Sequence, residues 1–332
     1  MKQNEDVSTI VFNPMEAGNL AVKMVDELRQ DAGGGIRSGI ADLDKIMLPF
    51  RPGELVTVLG YTSHYKSGFM NWLSKQALKS IGPDSNEIVI RVTWEQSVEE
   101  DTLSWLAGDA DLSVTKLARG LVDEPEWKRL QSASVRRAVT PMWIIGHSQL
   151  ENRDRRRSRP RMTMTDVARA VDYIANEATE THWKIRMIVL DYLQRIRPDP
   201  QEGDSRREQM MEAVNRAKDA AIAFGCTVVL GVQTGRQVLE RDDKFPRIDD
   251  GQETSNIEQS SDKMFGVWYP IKTEDAGSEI GKPPVTVTKN LLMVRLLKQK
   301  LGEAPADFAL YVDPEKNLLG SMQATATPGG RR

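Results

Sequence analysis

The sequence contains very little cysteine and histidine. Its 332 residues include a single cysteine, Cys226, and three histidines, His64, His147 and His182. One cysteine cannot form an intrachain disulfide, and it cannot build a zinc site that needs several thiolates. Cys226 lies in an apolar run, which predicts a buried core thiol. Because the histidines are scattered along the chain, a histidine-based metal site is not expected either.

Long hydrophobic runs and an excess of positive charge are also missing. No apolar run approaches the roughly 18–20 residues of a transmembrane helix, and the opening segment MKQNEDVSTI lacks the apolar core of a signal peptide. The formal net charge of -3 gives no overall attraction for polyanions, so any nucleic-acid surface must be local. We therefore expect a cytoplasmic globular protein without membrane contact. Its length suits one large domain with additions, or two ordinary domains.

A short apolar strand followed by a lysine–serine pair marks the first quarter of the chain. Leu55–Leu59 is β-rich, Gly60 interrupts it, and Lys66 and Ser67 open a helical pattern. This is the layout of a phosphate-binding loop (P-loop), whose backbone N–H groups cradle phosphates while the lysine neutralises charge and the hydroxyl holds Mg²⁺. An ordinary strand–turn–helix is the alternative, because Tyr65 stands where the P-loop pattern has glycine. The expected nucleotide-binding residues are Gly60, Tyr61, Thr62, Ser63, His64, Tyr65, Lys66 and Ser67.

Short apolar strands alternate with helical patterns through most of the chain. This alternation predicts an α/β fold with a mostly parallel central sheet and helices on both faces. One of the helices is expected to begin at a Thr165 cap. Ligands bind such sheets at the carboxyl ends of the strands, where Lys66, Glu95, Asp191 and Gln233 all occur. The predicted strands are Leu55–Leu59, Glu87–Thr93, Met142–Ile145, Ile185–Leu190, Thr227–Val232, Met264–Tyr269, Val285–Val287, Leu291–Lys298 and Phe308–Val312.

Three polar residues at strand ends could support nucleotide hydrolysis. Asp191 follows an apolar strand as a Walker B aspartate does, and it would hold Mg²⁺ opposite Ser67. Glu95 could activate the attacking water as a general base, and Gln233 could link a γ-phosphate to the adjoining loop. Simpler interpretations remain for each: a turn or helix-cap residue for Asp191, a surface carboxylate for Glu95, and a strand-end amide for Gln233.

Two lysines near the end of a late strand could bind phosphate. Lys298 and Lys300 alternate around Gln299, so as strand residues they should point the same way. In a ring of subunits their charges could act on the neighbour's nucleotide, as an arginine finger does. A solvated basic strand end is the alternative.

Two further segments lie outside this pattern. Asn13-Pro14-Met15-Glu16 has the residues of a helix start, and apolar residues follow at helical spacing. This amphipathic helix could pack on its own domain or on a neighbouring subunit. Six arginines fall within Arg153–Arg161, which could be a solvated loop or a contact with nucleic acid or a partner.

Several segments have the form of motifs from one protein family. IVLDYLQRI at Ile188–Ile196 resembles the Walker B strand of DnaB-type hexameric replicative helicases, and NIEQSSDKMF from Asn256 resembles their IEQ-x-x-D segment. GIADLDKIMLPFRPGELVTVLG, VVLGVQTGRQVLERDDKFPRIDD and LLKQK resemble further parts of the RecA-type motor domain. The resemblance runs from about Gly35 to Asp313, without a counterpart of the family's N-terminal primase-binding domain. It implies a tail and linker helix at 1–32 and a RecA-like ATPase domain at 33–322. The low apolar content from Gln323 onward predicts a disordered tail at 323–332.

The resemblance also implies roles and partners. ATP and Mg²⁺ would be bound by Lys66 and Ser67, with Glu95 as catalytic glutamate, Asp191 as Walker B carboxylate and Gln233 as sensor. A ring, expected to contain six subunits, would encircle single-stranded DNA, and replication or loading proteins would be further partners. Lys298 and Lys300 would act on the neighbour's nucleotide, and the helix Pro14–Gln30 would pack on the next protomer. The loops after Asp191 and Gln233 would contact DNA phosphates through Arg195, Arg197, Arg206, Arg207, Arg236 and Arg241.

Two residues depart from the family pattern. Tyr65 replaces the P-loop glycine, which costs about 1–3 kcal/mol if the position needs a glycine conformation. Lys300 replaces an arginine and so loses the bidentate fork. With the arginine-rich insertion, these departures suggest a specialised relative from a phage or mobile element. The main hypothesis is an ATP-driven helicase motor, and the alternative is a catalytically weak or inactive ring that serves as scaffold or loader. The DYLQ and IEQ-x-x-D segments disfavour a third hypothesis, a RecA/RadA-like recombination ATPase.

Overall fold

The computed structural model describes residues 11–29, 35–150, 162–199, 205–251 and 256–322. The chain divides into two units, Met1–Ile36 and Arg37–Arg332. The arginine run Arg153–Arg161 and the tail from Gln323, both singled out by the sequence, lie outside the described residues. None of the helices in the described ranges combines the length and the apolarity that crossing a membrane requires.

The first unit contains one helix, α1 (Pro14–Arg29). The Asn13 side chain accepts hydrogen bonds from the backbone N–H groups of Met15 and Glu16, each 3.0 Å long, and the Glu16 carboxylate accepts from the Asn13 N–H at 2.8 Å. These reciprocal bonds satisfy N–H groups that a helix start leaves without intrahelical partners, as the sequence predicted. The apolar side chains Met15, Leu20, Met24 and Val25 are exposed.

The second unit contains the sheet and the remaining helices of the described residues. The helices are α2 (Ala41–Ile46), α3 (Lys66–Lys79), α4 (Val98–Ala110), α5 (Val114–Ala118), α6 (Glu124–Ala138), α7 (Met164–Asn176), α8 (Arg206–Ala223) and α9 (Asn256–Ser260). The strands are β1 (Leu55–Gly60), β2 (Glu87–Thr93), β3 (Met142–Ile145), β4 (Lys184–Asp191), β5 (Thr227–Gln233), β6 (Lys263–Trp268), β7 (Glu279–Ile280), β8 (Val285–Thr286), β9 (Leu291–Gln299), β10 (Ala306–Asp313) and β11 (Leu318–Ser321).

Nine of these strands form one sheet in the order β11-β10-β9-β6-β1-β5-β4-β2-β3. The pairings from β6 to β3 are parallel, whereas β9, β10 and β11 add antiparallel strands at one side. All six residues of β1 are buried, and because successive side chains of a strand point to opposite faces, both faces of the sheet are covered. Leu230 of β5 belongs to the core formed with α7 and α8, while its neighbour Gly231 lies against Met70 of α3. The predicted α/β class with a mostly parallel sheet is confirmed.

The strand register places the carboxyl ends of four strands together. Gly60 of β1 pairs with Gln233 of β5, and Thr93 of β2 pairs with Asp191 of β4. Residues that follow these strands therefore meet along one edge of the sheet, the edge formed by the carboxyl ends of the strands. This edge is where a doubly wound sheet binds ligands.

Two details of the secondary structure differ from the sequence-based expectation. The N-cap of α7 is Thr163, not Thr165, because Thr163 and Asp166 form the reciprocal capping bonds. The Thr165 hydroxyl instead donates to Asp199 at 2.7 Å. The strands β7 and β11 were not predicted either, because these two- and four-residue segments are held by pairing with β8 and β10.

Candidate nucleotide site

The P-loop connects β1 to α3. Gly60 ends the strand, and a side chain on it would lie 3.3 Å from the Cβ of Lys66 and 3.4 Å from the Val267 carbonyl oxygen, so the close turn favours glycine. Helix α3 begins at Lys66, and its first N–H groups face the loop. The predicted strand–loop–helix geometry is therefore present, with a helix N-terminus that can receive phosphate.

Tyr65 is the N-cap of α3 and adopts the left-handed conformation, with φ of +66°. The sequence predicted a cost if this position required a glycine conformation, and the backbone does adopt one. A non-glycine residue pays roughly 1–2 kcal/mol in this region. The Tyr65 ring lies over Gly68, and its hydroxyl donates to the Asn317 side-chain oxygen at 2.9 Å.

Lys66 is buried at the centre of the site. Its ammonium lies 4.0 Å from the centre of the Tyr192 ring, at cation–π distance. Burial lowers the pKa of Lys66, and the carboxylates of Asp191 and Glu95 oppose that shift. The two carboxylates therefore favour the charged form of Lys66, whose ammonium could neutralise the charge of a bound phosphate.

Asp191 and Ser67 fit the donor set that Mg²⁺ prefers. The Asp191 side chain is buried, and its Oδ1 atom has no hydrogen-bond partner among the described residues. A buried carboxylate oxygen without a donor is costly unless a cation or water satisfies it. Ser67 and Tyr192, the residue after Asp191, both line one cleft, so the Ser67 hydroxyl and the Asp191 carboxylate could hold Mg²⁺ together with phosphate oxygens.

Glu95 lies two residues beyond β2 and is exposed. Its Oε1 is 3.9 Å from Nη2 of Arg195, whose Nε donates to the Tyr192 hydroxyl at 3.3 Å. The Glu95 carboxylate thus has a cationic neighbour from the loop after β4. It is free enough to orient a water molecule, which a general base must do.

Gln233 is hydrogen-bonded both to the P-loop and to the segment that follows β4. Its side-chain amide donates to the Thr62 hydroxyl. Its backbone exchanges two 3.0 Å hydrogen bonds with the Gln194 side chain, which donates to the Gln233 carbonyl and accepts from the Gln233 N–H. Arg206 at the start of α8 donates to the Gln194 carbonyl at 2.6 Å. The predicted sensor is therefore bonded to both the P-loop and the loop after Asp191.

One cleft of about 390 Å³ is lined by Lys66, Ser67, Glu95 and Gln233, and Asp191 is buried next to Tyr192 of that lining. This volume lies within the range of small-molecule sites, with Tyr65 in place. Several residues that line the cleft were not predicted from the sequence, because they come from distant segments that contain no motif. Those additional lining residues are Gly68, Asn71, Gln96, Ser104, Val114, Tyr192, Pro314 and Asn317.

The six arginines predicted to contact DNA fall into two groups. Arg195, Arg197, Arg207 and Arg236 are exposed near the same edge of the sheet. Arg206 is also exposed but donates to Gln194. Arg241 differs from these, because its guanidinium binds the Asp250 carboxylate at 2.5 Å and the Phe245 carbonyl at 3.1 Å. Arg241 thus ties its own loop together in this structure.

Lys298 and Lys300 lie toward the opposite end of the sheet, where the parallel strands β1 and β6 begin. Lys298 pairs in register with Met264 near the start of β6, and Lys300 follows the last residue of β9 instead of lying within the strand as expected. Met264 is in register with Thr57, so Lys298 lies level with a residue three positions, or about 10 Å, before Gly60. The Lys300 N–H binds the carbonyl of Asp262, whose own N–H binds Leu55 at the start of β1. The Lys298 ammonium donates to the Glu258 carbonyl, and the Lys300 ammonium is 3.8 Å from Asp262. Neither lysine lines the nucleotide cleft of its own chain.

The comparisons with known proteins agree on one family. Residues 35–291 match the family model of the DnaB-like helicase C terminal domain. Replicative DNA helicase DnaB of Haemophilus influenzae is 27% identical over 274 residues, which cover 80% of this chain and 54% of that protein. DnaB of Geobacillus stearothermophilus is 23% identical, over 81% of this chain and 52% of its own length. The chain thus spans about half the length of the curated relatives it matches.

Two solved structures share the fold. One is described as an ATPase domain, and it superimposes with a TM-score of 0.72 at 19% identity, covering 92% of this chain and 98% of that one. A DnaB-like replicative helicase, whose structure was described with its interactions with primase, also gives a TM-score of 0.72 at 19% identity, covering 92% of this chain and 66% of that one. At this level of identity the match concerns the fold alone, and it supports the RecA-like ATPase architecture predicted from the sequence.

Proposed function

The chain belongs to the DnaB-like helicase C-terminal domain family, and from that premise we propose that it is an ATP-driven motor that moves on single-stranded DNA and separates duplex strands. The observation that carries this proposal is the meeting of Lys66, Ser67, Glu95 and Gln233 around one cleft, with Asp191 buried at the neighbouring strand end, although these residues come from four strand ends. A solvated surface lysine or an isolated strand-end carboxylate would not require that convergence.

Each of these residues has a separate role in the proposed ATP hydrolysis. Lys66 and the N–H groups at the start of α3 bind the β- and γ-phosphates. Ser67 and Asp191 would hold Mg²⁺, which would neutralise charge on the phosphate oxygens. Glu95 orients the attacking water and accepts its proton. Gln233, which is bonded to Thr62 of the P-loop, would respond to the presence of the γ-phosphate.

Contacts at the strand ends support coupling between nucleotide and DNA. Gln194 connects the backbone of Gln233 to Arg206, so the loops that follow β4 and β5 are bonded to each other. Arg195 and Glu95 are both exposed, and Nη2 of Arg195 lies 3.9 Å from Oε1 of Glu95. A DNA phosphate bound by Arg195 would compete with Glu95 for the guanidinium, and this competition would leave the carboxylate available to the attacking water.

The position of Lys298 and Lys300 supports a ring of subunits. Because neither lysine lines the cleft of its own chain and both lie toward the start of β1, we infer that their charges serve the nucleotide of a neighbouring subunit. The exposed apolar side chains of α1 are suited to pack on that neighbour. We infer a ring of six subunits, with residues 1–32 as linker and 33–322 as motor, acting in the cytoplasm in phage or mobile-element DNA replication alongside replication or loading proteins.

A specific observation favours a second candidate. Tyr65 occupies a left-handed position that the family fills with glycine, and its ring lines the cleft. If the Tyr65 side chain obstructs the phosphates, the chain would assemble into a ring of subunits that serves as a scaffold or loader. Such an assembly would hydrolyse ATP weakly or not at all.

Steady-state ATP hydrolysis separates the two functions. We expect the purified protein to hydrolyse ATP, to do so faster with single-stranded DNA, and to lose turnover in the Lys66→Ala variant. Absence of turnover in the parent, with turnover restored by Tyr65→Gly, would instead establish the scaffold. Removal of residues 1–32 should lower the assembled mass in light scattering while thermal stability of the remaining unit is retained, and an unchanged mass would exclude α1 from assembly.

A further inference from the structure

Tyr65 of the P-loop makes contacts that the glycine of the family pattern could not make. We propose that Tyr65, bonded to Asn317, forms the wall of the cleft against which the planar base of a nucleoside triphosphate packs. This inference rests on the proposed nucleotide-binding function and specifies the part of the cleft that takes the nucleoside. Under this proposal the Tyr65 ring contacts the base of the nucleotide and does not obstruct the phosphates.

Tyr65 and Gly68 form a matched pair. The left-handed backbone at Tyr65 directs its ring back over the first turn of α3, where Gly68 lies. A Cβ atom on Gly68 would be only 2.2 Å from the nearest ring carbon, so a side chain at position 68 and a tyrosine at position 65 exclude each other. The missing side chain at Gly68 therefore provides the space that the ring occupies.

A hydrogen-bond relay holds the ring in place. The Tyr65 hydroxyl donates to the Asn317 side-chain oxygen at 2.9 Å, and the Asn317 amide donates to the Ser104 carbonyl at 3.3 Å. Burial raises the pKa of Tyr65, as do Asp313 and Tyr269, so the phenol remains protonated and can donate. The relay joins the P-loop to α4 and to the turn between β10 and β11. Val114 N–H also binds the Glu315 carbonyl at 2.7 Å, which fixes that turn from a second side.

The lining of the cleft indicates which part of the nucleotide meets this wall. Lys66 and Ser67 mark the phosphate end. The same cleft is also lined by Gly68 and Asn71 in α3 and by Ser104, Val114, Pro314 and Asn317 from other segments. A triphosphate anchored at Lys66 and Ser67 would extend its nucleoside along this further lining. Tyr65 lies along that route, and an aromatic ring can stack on any base because every base has a π-face.

Binding of ATP and of inorganic tripolyphosphate tests the proposal, because only ATP carries a base. Calorimetric titrations would compare the parent, Tyr65→Ala, Tyr65→Phe and, as a surface control, Tyr173→Ala. Alanine is preferred to glycine because it keeps a side chain in the left-handed position and removes only the ring. We expect Tyr65→Ala to weaken ATP binding about fivefold or more while tripolyphosphate binding is unchanged. Tyr65→Phe should retain most of the ATP affinity, and Tyr173→Ala all of it.

A second pair of variants tests the match with Gly68. Gly68→Ala should weaken ATP binding in the parent, because the new methyl group displaces the Tyr65 ring, but should have little effect when Tyr65→Gly is also present. An ATP affinity that rises in Tyr65→Ala would show that the ring obstructs the cleft and would overturn the proposal. Equal losses for ATP and tripolyphosphate would also overturn it, since the ring would then serve only the loop. If the parent binds neither ligand, the nucleotide-binding function itself fails, which is a distinct result.

Discussion

Replacement of Asp101 by asparagine should destabilise the protein and slow ATP hydrolysis together. Asp101 in α4 accepts two hydrogen bonds from Arg91 of β2, at 2.6 and 3.2 Å, and the two side chains are only 3% and 2% exposed. Burial alone would lower the pKa of Arg91, but the charge and hydrogen bond of Asp101 raise it on balance, so the guanidinium stays charged. The pair spans the turn that carries Glu95.

The magnitude follows from this burial. A buried pair that loses one partner leaves an uncompensated charge, which costs about 3–5 kcal/mol. At about 2 °C per kcal/mol for a domain of this size, the thermal midpoint should fall by roughly 6–10 °C. The Arg91 Nη1 atom already lacks a partner among the described residues, so no nearby acceptor is available to replace the carboxylate. Since the pair fixes the ends of the Glu95 turn, kcat should fall while ATP affinity, which depends on Lys66, is retained.

Thermal and urea unfolding would measure the stability change, and steady-state kinetics would measure kcat. The matched control is Glu124→Gln, because Glu124 pairs with Lys128 on the surface of α6, where the two side chains are 72% and 71% exposed. That change should alter stability by less than about 0.5 kcal/mol. The double change of Arg91→Met with Asp101→Leu should recover most of the loss, since it removes both charges. A loss below about 1 kcal/mol in Asp101→Asn would refute the reasoning, because a buried pair that loses one partner should cost more.

Three further predictions concern the site and its surroundings. Glu95→Gln should bind ATP normally and lose about 100-fold or more in hydrolysis, which single-turnover kinetics would show; full activity would assign the general base elsewhere. Alanine at Arg195 and Arg236 should weaken binding to single-stranded DNA and reduce the slope of log affinity against log salt by about 0.7 per lost contact, whereas Arg241→Ala should lower the thermal midpoint and leave that slope unchanged. Burial and Lys272 lower the pKa of His64 from 6.5 to about 4, so the unfolded chain takes up this proton at a higher pH than the folded one. Stability should therefore fall as pH drops from about 6.5 to about 4, and urea titrations of His64→Gln should show a weaker dependence in that window.

The parts of the site that sequence reasoning could predict are those fixed by local pattern. β-rich apolar runs with a polar residue at their ends specify strands, and parallel pairing then brings those ends to one edge of the sheet. This logic identifies Lys66, Asp191 and Gln233 from the strands alone. It locates Glu95 as well, although Glu95 follows its strand by two residues. The prediction of Thr165 as a helix cap is wrong because Thr163 offers the same hydroxyl, and only the position of Asp166 decides between them.

The remaining features depend on contacts between distant segments, which carry no local signal. Tyr65 and Asn317 are 252 positions apart, so nothing beside Tyr65 in the sequence indicates that its hydroxyl has an acceptor. From the sequence, the tyrosine is only a departure from a glycine pattern with a backbone cost. The structure adds what offsets that cost: a bare α-carbon at Gly68, a hydrogen bond, and a ring that lines the cleft. A residue that breaks a local rule can therefore be interpreted only once its long-range partners are known, and at this position those partners favour a contact with the nucleotide over a defect in the loop.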